Sequence, residues 1–321
     1  MKGIITMTTT NEGNARTAKP DELTLILPLR KKESISLDDF YAYWLNAHVT
    51  LPPRFPGIHD IWLHAVTFDD ALWPAVSGVS HRPESADEFQ GVPEATFPTL
   101  DDLAAFQGAS GVQMDDGENF LAEQIAYRSL RGNTVTVLER GDPAATGHEQ
   151  HVRHLLFLRR RPDVRIEDLR SFVIDELAPV CAAGDGVVKV RRHLFEEVEL
   201  TLDHPNVAMF KPLDRQYQAM VEVVLEDENA LSAFASSAGW ATTANRLLEC
   251  CVAAHAARVT RCVTTKYRGQ ITLAGIRGVA AADAITRLGA HNQTGQEITD
   301  LFLPWGFGPA EILNEPLHPQ L

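Results

Sequence analysis

Residues 37–57 read LDDFYAYWLNAHVTLPPRFPG, and this stretch decides how the rest of the chain is interpreted. Ser36 precedes it as a helix N-cap, and two aspartates follow in what would be the first turn. Apolar and aromatic residues recur every three or four positions, and His48 lies on the same stripe. Prolines and Gly57 then stop the pattern. The stretch predicts a helix from about Leu37 to Val49 whose inward face carries His48.

The sequence contains an internal repeat, in which two copies of one unit follow each other along the chain. Residues match at an offset of 129 in the first part of each copy and at 128 further along. The matched pairs include Leu29 with Leu158, Gly57 with Gly186, His64 with His193, Glu94 with Glu222 and Phe106 with Phe234. Duplication keeps a scaffold, so function is expected where the copies differ in polar residues. His48 is the clearest difference, because Leu177 stands opposite it.

Each copy is predicted to run strand, helix, strand, then strand, helix, strand. The first-copy strands are 23–29, 58–68, 89–96 and 134–139, with helices from 37, from 100 and around 120–130. The second copy repeats this plan at 154–160, 166–179, 187–200, 217–225, 228–257 and 261–267. This order is that of a ferredoxin-like unit. We therefore predict an α+β fold in which two tandem ferredoxin-like repeats pack sheet to sheet as one dimeric-α/β-barrel-type fold with a C-terminal cap.

The repeat also sets the predicted domain boundaries. Residues 1–20 are expected to be a disordered leader, 21–141 the first repeat, 150–269 the second, and 270–321 an extension packed on the barrel. Within that extension we predict a strand at 271–276, a helix at 280–288 and an apolar loop at 301–307.

Composition narrows the class of protein. The net charge of −14 disfavours nucleic acid and anionic lipid, which are bound through clustered lysine and arginine. No apolar run is long enough to cross a bilayer, so no membrane partner is expected. The four cysteines lack metal-type spacing and fit a reducing cytoplasm. The histidines show no metal-binding spacing either, and we predict no metal site.

The helix stretch resembles the signature of EthD-type dimeric α/β-barrel proteins. The resemblance rests on Phe40, Tyr43-Trp44, His48 and Pro56-Gly57, and it continues through FQGVPEATFPTLDDLAAF at residues 89–106. It covers both copies, about 23–140 and 152–268, but only the first copy keeps the helix signature. The second copy has Phe172-Val173 and Leu177 in its place, so its site is expected to be degenerate.

The resemblance implies several reactions rather than one. EthD-like and related barrels include dehydratases, decarboxylases, cyclases and cofactor-free monooxygenases that act on apolar aromatic or polyketide-like molecules, and some relatives bind haem. Our leading hypothesis is a cofactor-independent lyase that acts on such a molecule by acid–base chemistry. The alternatives are a cofactor-free or haem-dependent monooxygenase and a non-catalytic protein that binds an apolar metabolite. Haem and a homodimer stay open.

Three histidines are the candidate catalytic residues. His48 is the predicted proton shuttle, since imidazole titrates near neutral pH, and its alternative role is a core histidine bonded to a strand carbonyl. His64 and His193 are matched by the repeat and are predicted to face the space between the sheets, where we expect the pocket. A shared structural role at a strand end is their alternative.

Aromatic residues are the candidate walls of that pocket. The predicted substrate-binding residues are Tyr43, Trp44, Asp60, Trp62, Trp73 and Phe89. Trp44 and Phe89 have plain core packing as their alternative, and Asp60 has an exposed strand end. Trp73 belongs to the long loop 69–88, which could act as a lid.

Overall fold

A computed structural model describes residues 23–68, 73–140, 151–199, 204 and 206–303. The fold is α+β and is built on one large antiparallel sheet. The predicted leader and residues 304–307 of the predicted apolar loop lie outside the described residues.

The first copy follows the predicted order with two differences. Its elements are β1 (Leu23–Ile26), β2 (Leu29–Lys31), α1 (Leu37–Asn46), β3 (Asp60–Thr67), β4 (Gly91–Phe97), α2 (Leu100–Ala109), α3 (Gly111–Gly117), β5 (Leu121–Gln124), β6 (Tyr127–Ser129) and β7 (Thr134–Glu139). Helix α1 ends three residues before the predicted Val49, and His48 opens a short 3-10 turn, His48–Thr50. The helix predicted around 120–130 is wrong, because β5 and β6 pair there with β2 and β1.

The second copy and the extension complete the chain. They contain β8 (Val152–Arg160), α4 (Ile166–Ser171), a π-helical stretch Phe172–Leu177, α5 (Ala178–Ala182), β9 (Val187–Leu194), β10 (Ala219–Leu225), α6 (Glu228–Ala235), α7 (Ala238–Cys250), β11 (Cys251–Tyr267), β12 (Gln270–Ile271), α8 (Leu273–Arg277), α9 (Val279–Leu288) and α10 (Gln296–Phe302). The helix predicted up to residue 257 therefore ends at Cys250. The predicted strand 271–276 is mostly α8, whereas the predicted helix 280–288 is present as α9.

The two copies share their last strands. The strand order is β5-β2-β4-β3-β11-β8-β10-β9-β7, with β1 and β6 beside β4. The first part of β11 pairs with β8 of its own copy, and its second part pairs with β3 of the other copy. In the same way β5 and β6 pair within the first copy, while β7 pairs with β9 of the second. Each copy therefore closes the edge of the other.

Apart from the shared last strands, the strands of each copy form one half of this large sheet, and we call the two halves the first and second sheets. Charged and aromatic side chains fill the space between them. Glu94 and Glu222 are matched by the repeat, and each is bonded to an arginine. Arg153 donates to Glu222 within the second copy, and Arg191 of the second copy donates to Glu94 of the first. Lys189 Nζ lies 3.2 Å from Glu222 as well. A buried charge requires such partners. Ion pairs and aromatic rings occupy much of this space, where the pocket was expected from the sequence, and the apolar cavity described below lies on the other side of the sheet.

The C-terminal extension packs beside the end of α1. Asn46 Oδ1 accepts a hydrogen bond from Ala280 N at 2.7 Å, and Arg54 donates to Gly275 O at 3.0 Å. Both contacts hold the turn that carries His48 against α8 and α9. No helix within the described ranges is long and apolar enough to cross a membrane.

Candidate active site between the first sheet and its helices

The first copy contains a cavity of about 590 Å³ on the helix-facing side of its sheet. Helix α1 and the pair α2–α3 cover it, and the strands form its floor. Its walls are mostly apolar and include Leu25, Leu29, Trp44, Ile61, Leu63, Ala95 and Phe106. A cavity of this size and lining suits one small organic molecule.

His48 lies in the wall of this cavity and is bonded to a carboxylate. Its Nδ1 is 2.7 Å from Asp116 Oδ2, and its ring meets the edge of Phe120 at 4.9 Å between centroids. The other ring nitrogen, Nε2, bonds no described residue and is not sealed off by its neighbours. A core histidine bonded to a strand carbonyl, the alternative role, is not the arrangement found.

Asp116 is itself held in place from two sides. Tyr43 Oη donates to Asp116 Oδ1 at 2.6 Å, and Asn119 Nδ2 donates to the same oxygen at 3.3 Å. Tyr43 thus acts behind the cavity rather than in its wall. Sequence reasoning missed Asp116, although Ala244 stands opposite it at the offset of 128. The copy difference that picked out His48 would also have found this residue.

Burial and the carboxylate oppose each other at His48. Burial lowers the pKa of His48 below its usual 6.5, and the bond to Asp116 raises it in part. The same carboxylate raises the pKa of Tyr43, so the phenol stays a donor. The imidazole is therefore neutral at pH 7. Because Nδ1–H of His48 donates its hydrogen bond to Asp116, the lone pair on Nε2 is free to accept a proton.

A segment of the second copy completes the cavity wall. His204 and Met209 both line it. The segment is fixed by backbone bonds, from Ala208 N to Ala122 O at 3.0 Å and from Gln124 N to Ala208 O at 2.9 Å. His204 Nε2 also lies 3.2 Å from Glu118 Oε1. Both copies therefore build the candidate site.

The equivalent place in the second copy is filled by Trp73. Its indole packs 5.4 Å from the His154 ring, 5.7 Å from Phe234 and 5.7 Å from Trp240. His154 and Phe234 are the repeat equivalents of Leu25 and Phe106, which line the open cavity. Trp73 was expected beside the substrate in the first copy, and the structure instead places it in the core of the second.

His64 and His193 lie in the interior between the sheets and not in the cavity wall. His64 Nδ1 is 3.0 Å from Val92 O, and burial with Arg153 nearby lowers its pKa to about 3. His193 Nδ1 is 3.0 Å from Thr134 Oγ1, and burial lowers its pKa well below 6.5. The prediction that they face the space between the sheets is confirmed, and in that space they lie among buried ion pairs rather than in the wall of the 590 Å³ cavity.

The remaining predicted wall residues are distributed between the cavity wall and the interior between the sheets. Trp44 lines the cavity, whereas Trp62 lies under the Arg191 guanidinium at 5.3 Å. Asp60 is buried and bonded to His59 and Thr96, so neither a substrate contact nor an exposed strand end describes it. Phe89 packs on Phe157 at 5.1 Å in the interior between the sheets.

Across the described part of the chain, no group of three or more His, Cys, Asp or Glu side chains could hold a metal ion. Phosphate-binding loops are also absent from the sequence. The chemistry of the cavity has to be derived from His48, Asp116 and what the cavity binds.

The family comparison covers the part of the chain that builds this site. Residues 32–124 match the family model described as EthD domain. This range of the first copy is therefore similar to an EthD domain. The matched range includes α1, His48 and Asp116 together with most of the cavity floor.

Solved structures resemble the chain only distantly. One from Fusobacterium nucleatum, provisionally described as a monooxygenase, has 7% identity and a TM-score of 0.47 and covers 75% of this chain and 92% of its own. A second of the same description, from Lactobacillus acidophilus, has 13% identity and a TM-score of 0.43, covering 77% and 97%. An anthrone oxidase-like protein has 9% identity and a TM-score of 0.48, covering 77% and 95%. Values this low carry no argument about function. The comparison with curated proteins found no match.

Proposed function

We propose that this protein is an enzyme that removes a proton from an apolar aromatic small molecule, with His48 as general base. The observation that carries the proposal is the bond between His48 and Asp116 at the wall of a mostly apolar cavity. A neutral imidazole whose second nitrogen faces bound substrate can accept a proton, which contributes about 10²–10⁴ to a rate.

Each neighbouring residue has a defined part in this step. Asp116 accepts a hydrogen bond from Nδ1–H of His48, which fixes the tautomer and stabilises the imidazolium that forms. Tyr43 and Asn119 hold Asp116 in that orientation. The mostly apolar wall lowers the local dielectric constant, which strengthens the attraction between the imidazolium of His48 and the carboxylate of Asp116.

Two reactions begin with this proton transfer. The resulting carbanion can expel a leaving group, as in the lyase reaction expected from the sequence, or it can react with dioxygen, as in a cofactor-free monooxygenase. Oxygen uptake therefore has to be measured beside product formation.

Haem, which some EthD-like relatives bind, can be tested against the same residues. A histidine whose Nδ1–H donates a hydrogen bond to a carboxylate and whose Nε2 is unbonded could hold a haem iron. His48 has that geometry and would hold the iron, and haem would then supply oxygen chemistry. An absorption spectrum with a Soret band would show haem in the purified protein.

Proton abstraction can be tested without knowledge of the final product. Anthrone, a fused-ring ketone with an acidic methylene, serves as the probe under argon in D₂O. We expect the enzyme to speed the exchange of its methylene hydrogens, followed by NMR, beyond the buffer rate. Admission of air then shows whether oxygen is consumed. Anthrone that binds, as judged from tryptophan fluorescence, but exchanges only at the buffer rate would contradict the proposal.

The pH dependence of that exchange reports on His48. Because burial lowers the pKa of His48, the rate should rise with pH to a plateau, and the midpoint of that rise should lie below the usual histidine value of 6.5. Asp116 raises that pKa, so Asp116→Asn should move the acidic limb to lower pH and also reduce the plateau. The check is a pH–rate profile of both proteins. An acidic limb that stays in place would remove Asp116 from this role.

A purely binding protein is the remaining alternative. It would hold the probe as tightly after Asp116→Asn as before, with no exchange in either protein.

A further inference from the structure

We infer that the ligand of the open cavity is an aromatic carboxylate, whose acidic group pairs with Arg128 while its ring lies between the sheet and α2. This inference rests on the proposed function for the site, since it names the substrate class for the same cavity. The inference rests on Arg128, which lies in a different part of the cavity wall from His48, and on how the two copies differ around this arginine.

Arg128 lies in the cavity wall on the outer strand β6. Its strand partner is Leu25, which forms part of the cavity floor. The guanidinium makes no hydrogen bond or ion pair with any residue that the structure describes. The Arg128 side chain is exposed, so its guanidinium is solvated when no ligand is bound and stays available to one.

The second copy shows what this arginine normally bonds. Arg258 pairs with His154 on the adjacent strand as Arg128 pairs with Leu25, so the two arginines are equivalent. Arg258 donates to Glu228 Oε1 at 2.8 Å. Glu228 is the first residue of α6, directly after the N-cap Asp227. An internal carboxylate therefore satisfies the arginine in the copy whose cavity is filled.

The first copy has lost that carboxylate. Helix α2 begins with Leu100 after the N-cap Thr99, so Leu100 stands where Glu228 stands in the second copy. The Leu100 side chain is exposed and cannot accept a hydrogen bond. The arginine has been kept and its acid removed, in the copy that keeps the open cavity. A carboxylate brought by the ligand restores the pair.

The rest of the wall fits the same class of ligand. Leu25, Leu29 and Phe106 offer apolar contact for a ring. Arginine binds a carboxylate through two parallel N–H groups, which positions the ring as well as holding it. With the carboxylate at the Arg128 end, the ring's reactive carbon has to reach Nε2 of His48 elsewhere in the same cavity.

The test compares 2-naphthoate with its neutral analogue 2-naphthamide by isothermal titration calorimetry on the full chain. We expect 2-naphthoate to bind the unmodified protein about tenfold more tightly or better, because hydrogen bonds to charged groups are the stronger ones. Arg128→Gln should remove that preference and leave 2-naphthamide nearly unaffected.

The second copy supplies two matched variants. Arg258→Gln, which breaks the equivalent ion pair, should leave the preference for 2-naphthoate intact. Leu100→Glu rebuilds in the first copy the pair seen in the second, and it should lower 2-naphthoate affinity as far as Arg128→Gln does. Equal affinity of both probes for the unmodified protein, or a preference that survives Arg128→Gln, would overturn the inference. So would a failure of both probes to bind at millimolar concentration.

Haem propionates are carboxylates too, and a further arm separates them from substrate. Haem is titrated into the unmodified protein and into Arg128→Gln, and the Soret band is followed. Haem binding that depends on Arg128, without a preference for 2-naphthoate, would assign the arginine to haem and overturn the inference. The two proposals can be separated, because proton exchange depends on Asp116 and the preference for 2-naphthoate depends on Arg128. An Asp116→Asn protein that no longer catalyses exchange but still prefers 2-naphthoate would support both proposals.

Discussion

Replacing His48 with leucine is expected to slow turnover by about 10²–10⁴-fold while the protein stays folded. The loss follows because Nε2 of His48 is the proposed proton acceptor, whereas His204, the other histidine in this wall, pairs with Glu118 through Nε2 and has its Nδ1 buried. Folding should survive because the second copy has Leu177, fully buried, at the equivalent position. The measurement is the rate of anthrone exchange, with the melting temperature recorded beside it.

A surface histidine provides the control for that variant. His291 lies exposed in a short turn of the extension, and His291→Leu should leave exchange unchanged. An unaltered rate in His48→Leu, in a protein that melts normally, would remove His48 from the mechanism. A lost rate together with a collapsed melting temperature would point to a packing role instead.

His48 could be singled out from the sequence because the second copy of a duplicated chain provides a residue to compare with each residue of the first. The pattern of one helix placed the residue on an inward stripe, and the leucine opposite it in the second copy marked the difference. Asp116 belongs to the same site but lies 68 residues away, and no local pattern connects the two. Only the fold brings the last turn of α3 against the end of α1.

The position of the pocket could not be predicted from strand alternation. Alternation correctly groups Asp60, Trp62 and His64 on one face of β3, but it does not say which face borders empty space. Ion pairs between Glu94, Glu222 and basic residues fill that side, and such pairing depends on strands from both copies. The cavity forms on the opposite face, where the helices do not fill the gap.

Helix propensity misled the assignment of the last strand. The stretch CVAAHAAR from Cys251 is rich in alanine and reads as helix, yet it is the first part of β11. It pairs with β8 along one edge and meets Ser80 along the other, and small side chains suit a strand that is buried along most of its length. Tertiary pairing decided the outcome here.

The largest effect on stability is expected from Trp73→Ala, with a loss of about 3–5 kcal/mol in the free energy of unfolding. Trp73 is only 7% exposed and fills the second copy's equivalent of the open cavity. Its removal leaves a void among Phe234, Trp240 and their neighbours, which are held by the rest of the sheet and cannot collapse into it. Urea unfolding measures the loss. Trp62→Ala, at a half-buried ring under Arg191, is the matched control and should cost less.

Added indole should restore part of what Trp73→Ala removes, because a void lined by apolar side chains binds an apolar molecule of matching shape. The first copy's cavity takes up indole in both proteins, so the informative quantity is the difference between them. Trp73→Ala should bind one more indole per chain by calorimetry and show the larger rise in melting temperature. If the variant binds no additional indole and is destabilised by less than about 1 kcal/mol, Trp73 does not fill a second site, and the division into one open and one closed half would fail.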